Sequence, residues 1–126
     1  MTPAQLDHLR RIDAHLVNLL STAEKRTPGE WTHEMQCDSV WSDHDFDLQI
    51  AHTMSNPGAG MMWDADQRRN NAAFIASCAG NAEAGWRATR LAIKTLLEYT
   101  GPLTPQIERE YAKEKLGEII ALFPNV

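Results

Sequence analysis

From Trp31 to Gln36 and again from Asp45 to Ile50 residues alternate between two faces, with a polar turn Ser42-Asp43-His44-Asp45 before the second run, while on either side of that region apolar residues recur every three or four positions. This change of period is the strongest constraint on the fold. Alternation places every second side chain on one face of a strand, and the longer spacing places a stripe along a helix. Strands and helices therefore come in blocks. Interleaved elements would build a parallel, doubly wound sheet; blocks build an α+β fold. The order predicted is an N-terminal helix, a small antiparallel β-meander of about three strands, and three C-terminal helices packed on the sheet.

The first helix spans 3–24. Thr2 is a capping residue and Pro3 suits the first helical position. Leu6, Leu9, Ile12, Leu16, Leu19, Leu20 and Ala23 form one stripe, which must pack on the domain or on another chain. Thr27-Pro28-Gly29 then stops the helix and turns the chain.

The β region spans 27–63. Trp31, His33 and Met35 alternate with Thr32, Glu34 and Gln36, and a short second strand is expected around Ser39–Trp41. Phe46, Leu48 and Ile50 face inward on the third, with Asp45, Asp47 and Gln49 outward. Asn56-Pro57-Gly58-Ala59-Gly60 is a loop by composition, and Met61-Met62-Trp63 is a short strand or an apolar plug.

The helical part spans 64–123. Asp64 caps a helix that buries Ala72, Phe74, Ile75 and Cys78 and ends at Gly80-Asn81. A second runs from Ala84 to Tyr99 with Trp86, Thr89, Ile93, Leu96 and Leu97 on one side, and stops at Gly101-Pro102. Thr104 as cap and Pro105 at the first position open the last, whose buried face is Ile107, Tyr111, Leu116, Ile119, Ile120 and Phe123.

The 126 residues fit a single domain, and 43% hydrophobic residues suffice for a core without metal or disulfide staples. The formal net charge of -5 argues against broad DNA binding, which needs a large basic surface. No apolar run approaches the roughly 18 residues of a membrane span, and the charged start is unlike a signal peptide. A cytoplasmic protein is expected, with Cys37 and Cys78 both reduced. An amphipathic helix at each end and four tryptophans exceed what one small sheet covers, so a homo-oligomer is expected.

Three kinds of chemistry can be weighed. His33, Cys37, Asp43, His44, Asp45, Asp47 and His52 lie within twenty residues, but in none of the spacings that zinc motifs use. A metal-dependent hydrolase on His33, His44 and His52 is therefore a minor alternative. Neither Ser77 nor Cys78 sits in a nucleophile elbow, and Gly58-Ala59-Gly60 lacks the lysine of a phosphate loop. No cofactor is implied. Arg68, Arg69 and Asn71, with Trp86, Arg87 and Arg90, are the more informative groups. A guanidinium fork suits phosphate, an amide reads polar edges, and an indole stacks on a base. Together they would make an anionic-nucleotide site, with Trp63 as a second stacking group. The same arginines could equally pair with Asp64, Asp66 or Glu83 on solvated helix faces, with Trp86 in the core.

Two stretches carry a resemblance: Thr27-Pro28-Gly29-Glu30-Trp31 followed by a strand ending Ile50-Ala51, and Asn71-Ala72-Ala73-Phe74-Ile75-Ala76 followed by a leucine-bearing helix to Tyr99. The pattern resembles that of small phage and prophage accessory proteins of the Ead-like early-region type, over residues 27–99. The resemblance implies a β-then-α core and a phage or prophage source. Some small phage proteins sequester cyclic-nucleotide or cyclic ADP-ribose signals on a β core with C-terminal helices, a likeness of architecture. On that footing a non-enzymatic accessory protein is expected, binding an anionic nucleotide signal in an anti-defence role. The alternative is an interaction module that inhibits a host protein. The motif residues also have structural uses: Thr27-Pro28-Gly29 sets a turn, Trp31 plugs the sheet, and Asn71 bonds sheet backbone.

Overall fold

A computed structural model describes residues 1–27, 30–32, 39–42, 49–52 and 65–126. Among them are three helices and one three-stranded antiparallel sheet, an α+β arrangement. The chain divides into two compact units: Met1–Glu24 with Ala84–Val126, and Lys25–Glu83.

The first unit is helical. Helix α1 spans Pro3–Glu24. The Gln5 N–H donates to Thr2 Oγ1 at 3.1 Å, and the Thr2 N–H donates to Gln5 Oε1 at 2.9 Å. This reciprocal pair satisfies two amides that a helix start otherwise leaves open. Leu9, Ile12, Leu16 and Leu20 are buried, so the leucine stripe is covered within this chain. Leu9, Ile12 and Leu16 meet Ile93 and Leu116, ringed by Trp86, Leu96, Leu97, Ile119 and Ile120. The His8 ring, through Nε2, lies 3.0 Å from the Phe123 carbonyl and ties α1 to the end of the last helix.

The second unit holds the sheet. Strands β1 (Trp31–Thr32), β2 (Ser39–Ser42) and β3 (Gln49–His52) pair in sequence order, a meander. Trp31 faces Ser42 across the first pair, and an irregularity between Val40 and Trp41 shifts the second. Val40 and Ser42 are fully buried and Ser39 nearly so, which fits a central strand. Gln49 Nε2 donates to Ser39 Oγ at 2.7 Å, so this buried hydroxyl is satisfied from the neighbouring strand. The inward positions Phe46 and Leu48, the cap Asp64 and the loop 56–63 lie outside the described residues.

Four expectations are corrected. The helices expected at 64–78 and 84–99 are one, α2, running Ala65–Glu98. Gly80-Asn81 does not end it. Gly80 is not in the left-handed conformation of a helix cap, and Ala82, Glu83 and Ala84 carry the helix onward. Two C-terminal helices therefore replace three. Phe74 is 70% exposed and not buried, while Ala72 is buried and Ile75 and Cys78 are half-buried. Helix α3 spans Gln106–Leu122, with Pro105 as its N-cap and no capping side chain, so Thr104 does not cap it. Ile107 and Tyr111 are exposed; Ala112 and Leu116 are the fully buried positions of α3. Strict 3–4 spacing admits two apolar stripes on α3, and contact with α1 selects the one through Ala112 and Leu116.

Candidate functional site

In the sheet-bearing unit a cleft of about 850 Å³ opens between β1 and the α2 segment Ala73–Asn81. Arg26, Glu30, Trp31 and Thr32 form one wall, and Ala73, Ala76, Ser77 and Gly80 much of the other. A volume of this order suits a small organic ligand. The helix wall is low because Ala73, Ala76 and Gly80, which recur at spacings of three and four on one face, carry no long side chains.

Arg26 organises the strand wall. Its Nε donates to Glu83 Oε1 at 2.8 Å and its Nη1 to the Thr27 carbonyl at 2.9 Å. Its guanidinium carbon lies 5.4 Å from the Trp31 ring centre, within cation–π range. Trp31 Nε1 donates to the same Thr27 carbonyl at 3.1 Å. One carbonyl thus fixes both the cation and the indole. The Arg26–Glu83 pair is about three-quarters buried on both sides, so it is less screened than a surface pair. Thr32 Oγ1 is 3.5 Å from the Trp41 carbonyl, and Ser77 Oγ donates to the Phe74 carbonyl at 2.8 Å. Each hydroxyl keeps lone pairs for a ligand. Among the described residues Glu83 balances Arg26 and Glu30 stands on the rim, so they give the cleft no excess of positive charge.

The six residues singled out from sequence divide between the units. Arg68, Arg69 and Asn71 belong to the sheet-bearing unit. Arg69 pairs with Asp66 one turn earlier, the charge pairing anticipated as the alternative for these arginines. It also stands four residues before Ala73, on the helix face that lines the cleft. The half-buried Asn71 side chain has no hydrogen-bond partner among the described residues, so the sheet bond foreseen for it is not formed with them. Trp86, Arg87 and Arg90 belong to the helical unit. Trp86 packs against its core. Arg90 donates to both Asp13 oxygens, at 2.7 and 3.4 Å. That hydrogen bond raises the Arg90 pKa above its ordinary value, with slight burial opposing and the Asp13 charge adding. Arg87 is exposed and forms no ion pair among the described residues.

Sequence reasoning missed Arg26 and the small-residue face of α2, and weighed Ser77 only as a nucleophile. The available signal was the Thr27-Pro28-Gly29-Glu30-Trp31 motif, read as a sheet plug although Trp31 is only half-buried. Cys78 is a free, half-buried thiol. The proposed metal residues His33, Cys37, Asp43, His44, Asp45 and Asp47, the His52 side chain, and Trp63 lie outside the described residues. Among those described, no cluster of three metal-binding side chains occurs and no helix is long and apolar enough to cross a membrane. No family model matches the chain, and neither curated proteins nor solved structures show significant similarity to it.

Proposed function

We propose that this protein acts by binding a small molecule that carries a planar, hydrogen-bonding ring, in the cleft between β1 and α2. The observation that supports this reading is the Arg26–Trp31 platform, locked on the Thr27 carbonyl at the wall of an 850 Å³ cleft. A nucleobase is the ligand class that such a platform suits: it offers a flat face to stack and polar edges for Ser77, Thr32 and Asn81. Arg26 is engaged by Glu83, so the ring and not a phosphate belongs at this end. An anionic group on the ligand would extend one helical turn toward Arg69, exchanging with Asp66. This keeps Arg69 as a phosphate residue and moves base stacking from Trp86, which packs in the helical core, to Trp31. In biological terms the reading is an accessory protein of the phage type that sequesters a nucleotide signal, as the motif resemblance implies.

Native mass spectrometry after incubation with a panel of nucleosides, nucleotides and cyclic nucleotides tests it. A stoichiometric adduct is expected, lost on denaturation and lost in Ala73→Trp, which fills the cleft from an exposed position without touching the core. Arg69→Ala should weaken nucleotides and leave nucleosides unaffected. An adduct that survives Ala73→Trp, or a chain that takes up none of the panel, overturns the reading.

A further inference from the structure

The helical unit carries an apolar groove that the cleft does not explain. Two adjoining cavities of about 350 and 560 Å³ between α2 and α3 share Thr95, Leu96 and Tyr111, and so form one groove. Its rim is unusually apolar for a surface in water: Leu91 is 65% exposed, Ile107 85% and Leu122 75%, with Tyr99 and Tyr111 about half exposed. Scattered apolar residues need no explanation, but a contiguous face of them marks an interaction surface. Leu91 shares one stretch of the groove with Leu122, and Tyr99 shares the other with Ile107, so α2 and α3 run antiparallel along it.

The charges beside the groove say what covers it. Arg87 stands at the Leu91 end. Glu98 and Glu108 stand at the Tyr99–Ile107 end. None of the three forms an ion pair among the described residues. Between them Lys115 and Glu118 neutralise each other at 2.8 Å, and that bond raises the Lys115 pKa. The groove is therefore apolar along its length, basic at one end and acidic at the other.

We propose that a second copy of this chain closes the groove, related by a twofold axis that sets the two α2–α3 pairs antiparallel. With the axis perpendicular to the groove, each end of the surface meets the opposite end of its mate. Arg87 of each copy then faces Glu98 and Glu108 of the other, while Leu91, Ile107, Tyr111 and Leu122 bury one another. A parallel arrangement would set Arg87 against Arg87 and the glutamates against glutamates. Polar groups placed in this way fix orientation, and the apolar strip supplies affinity.

Sedimentation and light scattering of the full chain over a concentration series test this. The expected mass is twice the 14.2 kDa of one chain. Leu91→Asp, at an exposed position, should raise the dimer dissociation constant about tenfold or more while leaving the helical circular dichroism unchanged. Arg87→Glu should weaken the dimer too, and adding Glu98→Arg and Glu108→Arg should restore it, which a merely structural role for Arg87 would not produce. A wild-type chain that stays monomeric up to its solubility limit overturns the proposal, even where it captures a different protein. A dimer indifferent to both Leu91→Asp and Arg87→Glu overturns it as well, since the contact then lies on another face.

Discussion

Among the described residues Arg26 holds three groups at once: the Glu83 carboxylate, the Thr27 carbonyl and the Trp31 ring. Each contact is worth a fraction of a kcal/mol to about 1 kcal/mol at a half-buried site. Arg26→Ala should therefore destabilise the protein by about 1–2 kcal/mol in denaturant unfolding, measured by Trp fluorescence. Arg26→Lys should recover only part, because a point charge cannot serve carboxylate and carbonyl through one planar fork. A variant as stable as wild type would show that the three contacts are solvent-exchanged and contribute nothing. Arg87 and Arg90 make a second contrast at this scale. Arg90→Ala should lower the melting temperature slightly, since it strips a partner from Asp13, and Arg87→Ala should not change it in samples dilute enough to be monomeric. The raised Arg90 pKa means that this contribution is present throughout the ordinary pH range and is lost only as pH climbs through the folded-state value. Melting curves at neutral and mildly alkaline pH should therefore show the same difference between the two variants.

At the scale of the element, α2 is the part that sequence patterning divided and the structure joined. Gly80 and Gly85 lie within it, and a Cβ added at either meets nothing within 4 Å among the described residues. Neither needs a left-handed backbone nor a close approach, so each carries only the entropic penalty of glycine in a helix. Gly80→Ala and Gly85→Ala should each stabilise the protein by up to about 1 kcal/mol, read from the shift of the urea midpoint. Gly80→Pro should do the reverse, with a clear loss of helical circular dichroism. If Gly80→Ala is destabilising, the helix does not run through this position. The pattern alone could not decide this, because a glycine followed by asparagine is equally a helix end and a tolerated interior pair. The choice rests on how the residues after it are buried. Ala82 and Glu83 are half-buried and Glu83 receives Arg26, so continuation gives Glu83 a partner that a turn would remove.

At the scale of the whole molecule, the helical core is assembled from the two ends of the chain. Leu9, Ile12 and Leu16 arrive from the beginning, Leu116 from the end, and Ile93 from the middle. No segment of the helical unit can bury its own apolar face alone. Deleting residues 1–24 should therefore cost more helicity than the 22 residues of α1 contain, with increased binding of a hydrophobic dye. A truncated chain that keeps the full helicity of α2 and α3 and still unfolds cooperatively would refute this. A single Leu16→Ala substitution should act in the same direction, by roughly 2–5 kcal/mol, since Leu16 is fully buried.

Much of this was written in local pattern. The period of α1 and its Thr2 cap, the meander of β1, β2 and β3, and the ends of α1 ahead of Thr27 and of α2 ahead of Gly101 all follow from near-neighbour rules of spacing, capping and turn chemistry. The blocks of strand and helix gave the α+β class for the same reason. What the tertiary structure decided is which of several possible faces each helix commits. It put Ala112 and Leu116 inside and left Ile107 and Tyr111 on a groove. It left Phe74 exposed, ran α2 through Gly80, and paired Arg90 with Asp13 from the far side of the sequence. The cleft belongs to the same class: Arg26, Trp31 and Ser77 are ordinary residues in the sequence and become neighbours only when β1 lies against α2. Periodicity reports that a residue has an apolar side, because that is a property of near neighbours. It cannot report what the side meets, because the partner is chosen by packing among segments dozens of residues apart.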